Sequence, residues 1–288
     1  MDERLTGGPL AVETCIVTYG SAVTAIRAVE SLRALGPGAR VAIHDNTPTP
    51  LDLHRVREVV KSLGLAFRAE HCPDNCGFSR GCNALAQSST SDLLLFLNPD
   101  AELVEWPDHL AVQASRSIVG PIVEDDRGRP MKTFGQKRTI GEEFLIRWAR
   151  IRPRVPAGKG YVSGAALLVP RDVFAELGGF DESFFMYYED IDLCVRANHS
   201  GIPVGVDSAW IVRHQGGHAA GRDQGTALIR SYESAVHFYS KHGMDVGLYR
   251  RLCRIDATMK LALFTLLPSR RASVPGMRRL LARINAVS

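Results

Sequence analysis

Leu93-Leu94-Leu95-Phe96-Leu97-Asn98-Pro99-Asp100 is the stretch on which the fold turns. Five consecutive large apolar residues are too few for a helix and carry no polar alternation. They read as a strand buried on both faces, the kind found in a parallel sheet covered by helices. The run ends in Asn98-Pro99-Asp100, which sets a carboxylate at the carboxyl end of a buried strand, where open α/β sheets bind their ligands.

Working outward, the residues before this strand alternate between strand and helix signals. Thr14 to Tyr19 is a short β-rich run, Ala22 to Leu35 has helical periodicity, and Val41 to His44 is a second strand. Leu51 to Leu63 places Leu53, Val56, Val60 and Leu63 on one helical face, Ala66 to Ala69 is a further strand, and Ser79 to Gln87 a helix. Gly36-Pro37-Gly38 and Thr47-Pro48-Thr49-Pro50 punctuate the turns. The pattern predicts a mostly parallel, Rossmann-like central sheet flanked by helices. From Ile118 onward short strands are expected at Val119 to Val123, Val162 to Val169 and Ala209 to Val212. Helices are expected at Arg171 to Leu177, Asp190 to Asn198 and about Arg222 to His242. Arg127 to Gly160 is rich in Lys and Arg, gives few structural signals, and reads as a loop over a site or a surface for an acidic acceptor.

With 288 residues, 45% of them hydrophobic, the chain can bury a large α/β core, which excludes a disordered or fibrous protein. Met1 to Thr14 lacks a basic start followed by an apolar run, so the expectation is a cytoplasmic protein with its six cysteines reduced. His71, Cys72, Cys76 and Cys82 cluster in sequence, but their spacing is wrong for a paired-ligand zinc module. Buried or incidental thiols are the expected reading.

The formal net charge of +4 is unevenly spread. Nine Lys or Arg residues lie between Arg250 and Ser288 against the single acid Asp256, which makes the rest of the chain net acidic. This tail contains Leu261-Ala262-Leu263-Phe264-Thr265-Leu266-Leu267, too short to span a bilayer but suited to lying at its surface. Peripheral membrane contact is one expectation; a helix packed on the core with solvated arginines is the other. No nucleic-acid partner is expected, because aromatics are not interleaved with the charges.

The central tract carries the chemistry. Val162-Ser163-Gly164-Ala165, Gly178-Gly179-Phe180-Asp181-Glu182 and Tyr188-Glu189-Asp190-Ile191-Asp192-Leu193 combine a small-residue strand, a glycine turn and closely spaced carboxylates. Asp190 in the first turn of a helix would be kept ionised by the helix dipole and could act as a base, while Glu189 and Asp192 cap the helix or bind acceptor hydroxyls. Asp45, ending the second strand, can hydrogen-bond the imide nitrogen of a pyrimidine or serve as a turn former. Asp100 can hold a hard divalent cation if a second ligand exists, with His214 the candidate and His218 the fallback.

These residues resemble glycosyltransferase family 2, in its bacterial rhamnosyltransferase-like subset. The resemblance rests on Thr18-Tyr19, Asp45-Asn46, the stretch from Asn75 through Gly77, Phe78 and Arg80 to Asn83, Phe96 to Asp100, Ser163-Gly164-Ala165, Gly179 to Glu182, Glu189 to Leu193 with Arg196, and His214. It covers about residues 12 to 240. It implies a GT-A fold and an inverting transfer from a nucleoside diphosphate sugar, most readily L-rhamnose from dTDP-L-rhamnose, onto a lipid-linked or polysaccharide acceptor. Asp190 would be the general base. Thr18, Tyr19, Asp45, Asn75, Gly77, Phe78, Arg80, Asn83, Asn98 and Asp100 would line the nucleotide-sugar site, and Ser163, Gly164, Asp181 and Glu189 would meet acceptor or donor sugar. Asp100 and His214 would hold Mg²⁺ or Mn²⁺.

On this reading residues 1–117 form the nucleotide-sugar-binding half, 118–244 the acceptor-binding and catalytic half of the same domain, and 245–288 a basic amphipathic tail. The expected place is the cytoplasm, peripheral at the inner face of the cell membrane. Gly20, where many relatives have asparagine, and His44-Asp45-Asn46-Thr47, in place of a more apolar run, depart from the family pattern. A UDP-sugar donor, or a binding module that has lost turnover, are the alternatives.

Overall fold

The computed structural model describes residues 10–20, 22–36, 38–131, 134–135, 140, 144, 160–214 and 224–286. They form two compact units, one of residues 1–136, 155–183 and 189–216, the other of 137–154, 184–188 and 217–288.

The first unit is built on an eight-stranded sheet. Its strands in chain order are β1 (Val12–Thr18), β2 (Arg40–Asp45), β3 (Ala66–His71), β4 (Leu93–Leu97), β5 (Ala101–Glu105), β6 (Ile118–Glu124), β9 (Ala166–Pro170) and β10 (Val204–His214). A separate hairpin pairs β7 (Phe134–Gly135) with β8 (Tyr161–Val162). The large sheet runs β3-β2-β1-β4-β9-β6-β10-β5. β4 sits inside it with all five side chains buried, each fully buried leucine contributing about 1.5–3 kcal/mol.

Helices cover both faces because both faces of the inner strands are apolar. Ala25, Ala28 and Val29 of α1 (Ala22–Ser31) and Val56 and Val60 of α2 (His54–Ser62) pack with Ile16, Leu93, Leu95 and Leu97. On the opposite face Cys82 and Leu85 of α3 (Gly77–Gln87) join Leu94, Phe96, Leu193 and Cys194, together with Phe180 and with Phe174 of α5 (Arg171–Glu176), while α4 (Leu110–Gln113) adds Leu110 to the first face. Glu13, buried in β1, is neutralised by Arg68 of β3, whose Nε and Nη2 donate to its two oxygens at 2.9 and 3.1 Å.

The sheet is mostly parallel, as expected, but mixed: six of its eight strands run one way and β9 and β5 run against them. β1–β2, β2–β3, β1–β4 and β6–β10 pair parallel, while β9 runs antiparallel to both β4 and β6, and β5 antiparallel to β10. The single strand expected over Val162 to Val169 is broken at Ser163-Gly164-Ala165 into β8 and β9. β5 was not foreseen; it follows β4 after only three residues. Residues on either side of position 117 share this one sheet. Most of Arg127 to Gly160, and His218, lie outside the described residues.

In the second unit, α7 (Gln224–Lys241), α8 (Val246–Leu266) and α9 (Val274–Ala286) pack on an aromatic cluster. The ring of Tyr249 lies 4.5 Å from Tyr239, 5.9 Å from Phe144 and stacked at 6.3 Å on Tyr232. Asp245 caps α8, its Oδ1 accepting from the Leu248 N–H at 2.9 Å. The tail expected from composition is therefore helical. No described helix is long and apolar enough to cross a membrane.

Candidate active site

The site lies within the first unit, at the carboxyl ends of β1, β2, β4 and β10 and the amino end of α6 (Glu189–His199). β10 pairs antiparallel with β5 so that His214 stands opposite Ala101. That register carries the imidazole to the residue next door: His214 Nε2 lies 3.0 Å from Asp100 Oδ1. The Asn98 amide approaches the same nitrogen at 3.4 Å. The Asp100 and His214 side chains are 8% and 16% exposed.

Asn98 also links this group to the carboxylates. Its N–H donates to Ala165 O at 3.0 Å, and one residue earlier the Gly164 N–H donates to Asp190 Oδ2 at 2.6 Å. Asp190 Oδ1 accepts from the Ile191 N–H at 2.8 Å. A Cβ at Gly164 would stand 3.4 Å from Asp190 Cβ, an ordinary van der Waals contact, so the bond is made by the backbone and does not require glycine. The strand break at Ser163-Gly164-Ala165 is thus what seats the carboxylate.

The electrostatics differ from the dipole argument. Burial lifts the Asp190 carboxyl above the ordinary aspartate range, although the Gly164 and Ile191 N–H groups pull the other way. Burial and then the Asp190 charge lift Glu189 well above the ordinary glutamate range. Glu189 Oε2 is buried and has no hydrogen-bond partner among the described residues, which fits a protonated side chain better than an anion.

Asp192 takes neither expected role. It is fully buried and paired with Arg196 at 2.8 Å, and Arg196 also donates from Nη1 and Nη2 to the carbonyls of Leu177 and Gly179. Asn83 completes this brace: its Oδ1 accepts from Phe180 N at 2.9 Å and its Nδ2 donates to Phe180 O at 2.9 Å and Glu182 Oε1 at 3.1 Å. Asn83 is therefore a clamp on the glycine turn, with its hydrogen-bonding largely used.

Other expected ligands fall into similar classes. Asp45 is buried, with Oδ1 accepting from Thr47 N and Oδ2 from Leu51 N, so the turn-forming reading holds. Each oxygen retains a lone pair for a further donor. Thr18 is buried at the end of β1 and Tyr19 beside it is exposed. Asn75 has φ 48° and Gly77 φ 89°, which turn the chain into α3. Phe78 packs on Phe180 with ring centroids 6.1 Å apart. Arg80 is exposed and pairs with Glu182 at 3.1 Å. Asp181 Oδ1 accepts from Ser183 N, and Ser163 Oγ from Ala165 N.

Two features escaped the sequence. Tyr187 and Tyr188, just before Glu189, both have left-handed φ, 72° and 70°, a strain of order 1–3 kcal/mol each that non-glycine residues rarely carry away from functional sites. Nothing in the residue types announces it. The second is β5, without which His214 and Asp100 would not meet.

The donor set suits a hard divalent cation. One carboxylate and one imidazole converge, and Mg²⁺ or Mn²⁺ completes its shell from waters and phosphate oxygens in such sites.

The chain matches none of the protein-family models. It is 33% identical over 172 residues to the N-acetylglucosaminyl-diphospho-decaprenol L-rhamnosyltransferase of Mycobacterium tuberculosis, covering 51% of this chain and 54% of that protein. It is 36% identical over 142 residues to the rhamnosyltransferase WbbL of Escherichia coli, covering 44% and 53%. The chain thus spans about half the length of the curated relatives it matches. Among solved structures, the mannosyltransferase PcManGT from Pyrobaculum calidifontis, in complex with GDP-Man and Mn²⁺, superposes with a TM-score of 0.57 at 14% identity, over 98% of this chain and 87% of that one. The fold is the GT-A glycosyltransferase fold. Within that class the curated relatives include rhamnosyltransferases and the low-salt glycan biosynthesis hexosyltransferase Agl10 of Haloferax volcanii, in keeping with the family 2 resemblance.

Proposed function

We propose that this protein is an inverting glycosyltransferase that moves a hexosyl group, L-rhamnose from dTDP-L-rhamnose, onto a hydroxyl of a lipid-linked or polysaccharide acceptor. The observation that carries the proposal is the linkage Asp190–Gly164–Ala165–Asn98, which holds a general base in one framework with the Asp100–His214 pair.

A sugar hydroxyl is a weak nucleophile at neutral pH. Asp190, fixed through one oxygen by Gly164, accepts the hydroxyl proton as the acceptor oxygen attacks the anomeric carbon from the face opposite the leaving diphosphate. One displacement inverts that centre. Asp100 and His214 would hold Mg²⁺ or Mn²⁺, whose charge stabilises the departing nucleoside diphosphate. The ends of β1 and β2, with Thr18, Tyr19 and Asp45, serve the nucleoside.

Rhamnose as the sugar rests on the two relatives, which are named as rhamnosyltransferases. A lipid-linked acceptor is supported also by α8, where Ile255, Met259, Leu263 and Leu266 form one apolar face, each about half exposed or more. Arg251, Arg270 and Arg271 are exposed nearby in sequence. Such a face with basic flanks suits an anionic lipid surface.

The deciding experiment is calorimetric binding of dTDP and UDP, each with and without Mn²⁺, followed by transfer from dTDP-L-rhamnose. Mn²⁺-dependent preference for dTDP supports the proposal. Preference for UDP assigns a uridine sugar, and binding of neither removes the enzymatic reading.

A further inference from the structure

A second group of metal-ligating side chains lies at the ends of β2 and β3, and its membership differs from the sequence cluster. Cys82 is buried in α3 and His71 Nε2 is engaged by Thr47 O at 2.7 Å, so neither takes part. His44, from the adjacent strand, replaces them. One donor atom each from His44, Cys72 and Cys76 all lie within 4.8 Å of one another.

One of the three donor pairs already has the spacing of adjacent ligands on one ion, and the other two lie within 4.8 Å. Cys76 Sγ stands 3.3 Å from His44 Nε2. With Zn–S near 2.3 Å and Zn–N near 2.0 Å, adjacent tetrahedral ligands are separated by about 3.5 Å. The imidazole is also oriented from behind. His44 is opposite Glu70 in the β2–β3 register, and its buried Nδ1, which makes no hydrogen bond among the described residues, faces Glu70 Oε2 at 3.6 Å. Glu70 Oε1 is already taken by Arg68 and Ser88, which leaves Oε2 to the histidine. A carboxylate behind a ligating histidine is the usual outer support of a metal site. Above the ring, Gly81 of α3 brings the helix close; a Cβ there would stand 3.0 Å from His44 Cδ2.

The donor chemistry selects the ion. Two thiols and an imidazole suit a borderline or soft metal, not the hard cation expected at Asp100. We propose that His44, Cys72 and Cys76 bind one Zn²⁺-class ion, with a fourth position open to solvent beside the half-buried cysteines. Binding replaces the two thiol protons, which pass to solvent, by two metal–sulfur bonds, with no change of oxidation state. The ion would tie the loop before α3 to the end of β2, joining two segments already linked by Cys72 N to Asp45 O at 2.9 Å and Cys76 N to Asn46 Oδ1 at 3.2 Å. The site stands independently of the sugar-transfer reading.

Co²⁺ titration of the full chain under a phosphine reductant tests it. The expected result is a thiolate-to-cobalt charge-transfer band that saturates at one Co²⁺ per chain and is displaced by Zn²⁺. Cys72→Ser and Cys76→Ser should each abolish it, and Glu70→Gln should weaken binding by about 10–100-fold. His71→Gln and Asp100→Ala should leave it unchanged. In the unaltered protein, Zn²⁺ should protect Cys72 and Cys76 from alkylation, which keeps the test sound if a variant misfolds. Absence of a stoichiometric band, its survival in Cys76→Ser, alkylation unaffected by Zn²⁺, or a Cys72–Cys76 disulfide persisting in reductant overturns the proposal.

Discussion

Gly164 donates its backbone N–H to Asp190 Oδ2 at 2.6 Å, across 26 residues of sequence. This single bond joins the break between β8 and β9 to the first turn of α6. It fixes one carboxylate oxygen and leaves the other near Ile191. Asp190→Asn should therefore keep the fold and the affinity for nucleotide while lowering transfer by about 10²–10⁴-fold, as loss of a general base does. Calorimetry of dTDP beside an initial-rate assay checks both halves; transfer near the wild-type rate would remove Asp190 from the mechanism.

Burial raises Glu189 well above the ordinary glutamate range. The sign of the linkage follows directly. A carboxyl with a raised folded pKa contributes stability that is fully present below its unfolded value and is lost as pH rises through the folded one. Glu189→Gln removes that loss. Urea unfolding across pH should show the variant gaining on the wild type as pH rises, and parallel curves would mean that Glu189 is not the protonated partner.

Asp100 and His214 meet through strand register. Asp100→Ala should reduce Mn²⁺-dependent nucleotide affinity on the order of tenfold or more, with metal-free binding little changed. Nucleotide binding that still responds fully to Mn²⁺ in this variant would move the cation elsewhere.

Gly178 and Gly179 have nearly the same left-handed φ, 75° and 71°, but unlike surroundings. A Cβ on Gly178 meets nothing within 4 Å, whereas one on Gly179 would stand 2.7 Å from Asn83 Oδ1. Gly178→Ala should cost about 1 kcal/mol from backbone strain alone. Gly179→Ala should cost distinctly more by chemical denaturation, because the Asn83 clamp must give way; equal costs would show the clamp to be soft.

The exposed face of α8 predicts partition onto anionic vesicles. The double variant Met259→Glu with Leu263→Glu should lose vesicle binding and transfer to a lipid-linked acceptor, while keeping dTDP affinity. Unchanged sedimentation with vesicles would return α8 to a purely structural role.

How much of this was legible beforehand depended on whether the signal was local. β4 was read to the residue, because five buried apolar side chains admit no other strand boundary. α6 was off by one residue at each end. Asp190 was picked out by its motif, but its raised carboxyl was not, since burial is a property of the packed site and here opposes the helix dipole. β5 was missed because Ala101-Glu102-Leu103-Val104-Glu105 follows a proline turn with no spacer and has weak alternation. Asp45 and Asn83 carry motif positions, yet their hydrogen bonds to turns can be seen only when the turns are in place. His44 reads as a family departure because its cysteine partners lie in the loop between β3 and α3, later in the chain.

β9 has a further consequence for how the chain assembles. Residues 166–170 zip against β4 on one side and meet β6 on the other. Until they arrive, the inner edge of β4 presents Leu93 to Leu97 with unpaired backbone groups, a template for pairing with another molecule. The closing contact joins strands far apart in the sequence, which slows its formation. A chain cut between positions 117 and 166 should therefore aggregate rather than yield a folded half, however well residues 1–117 read as a unit.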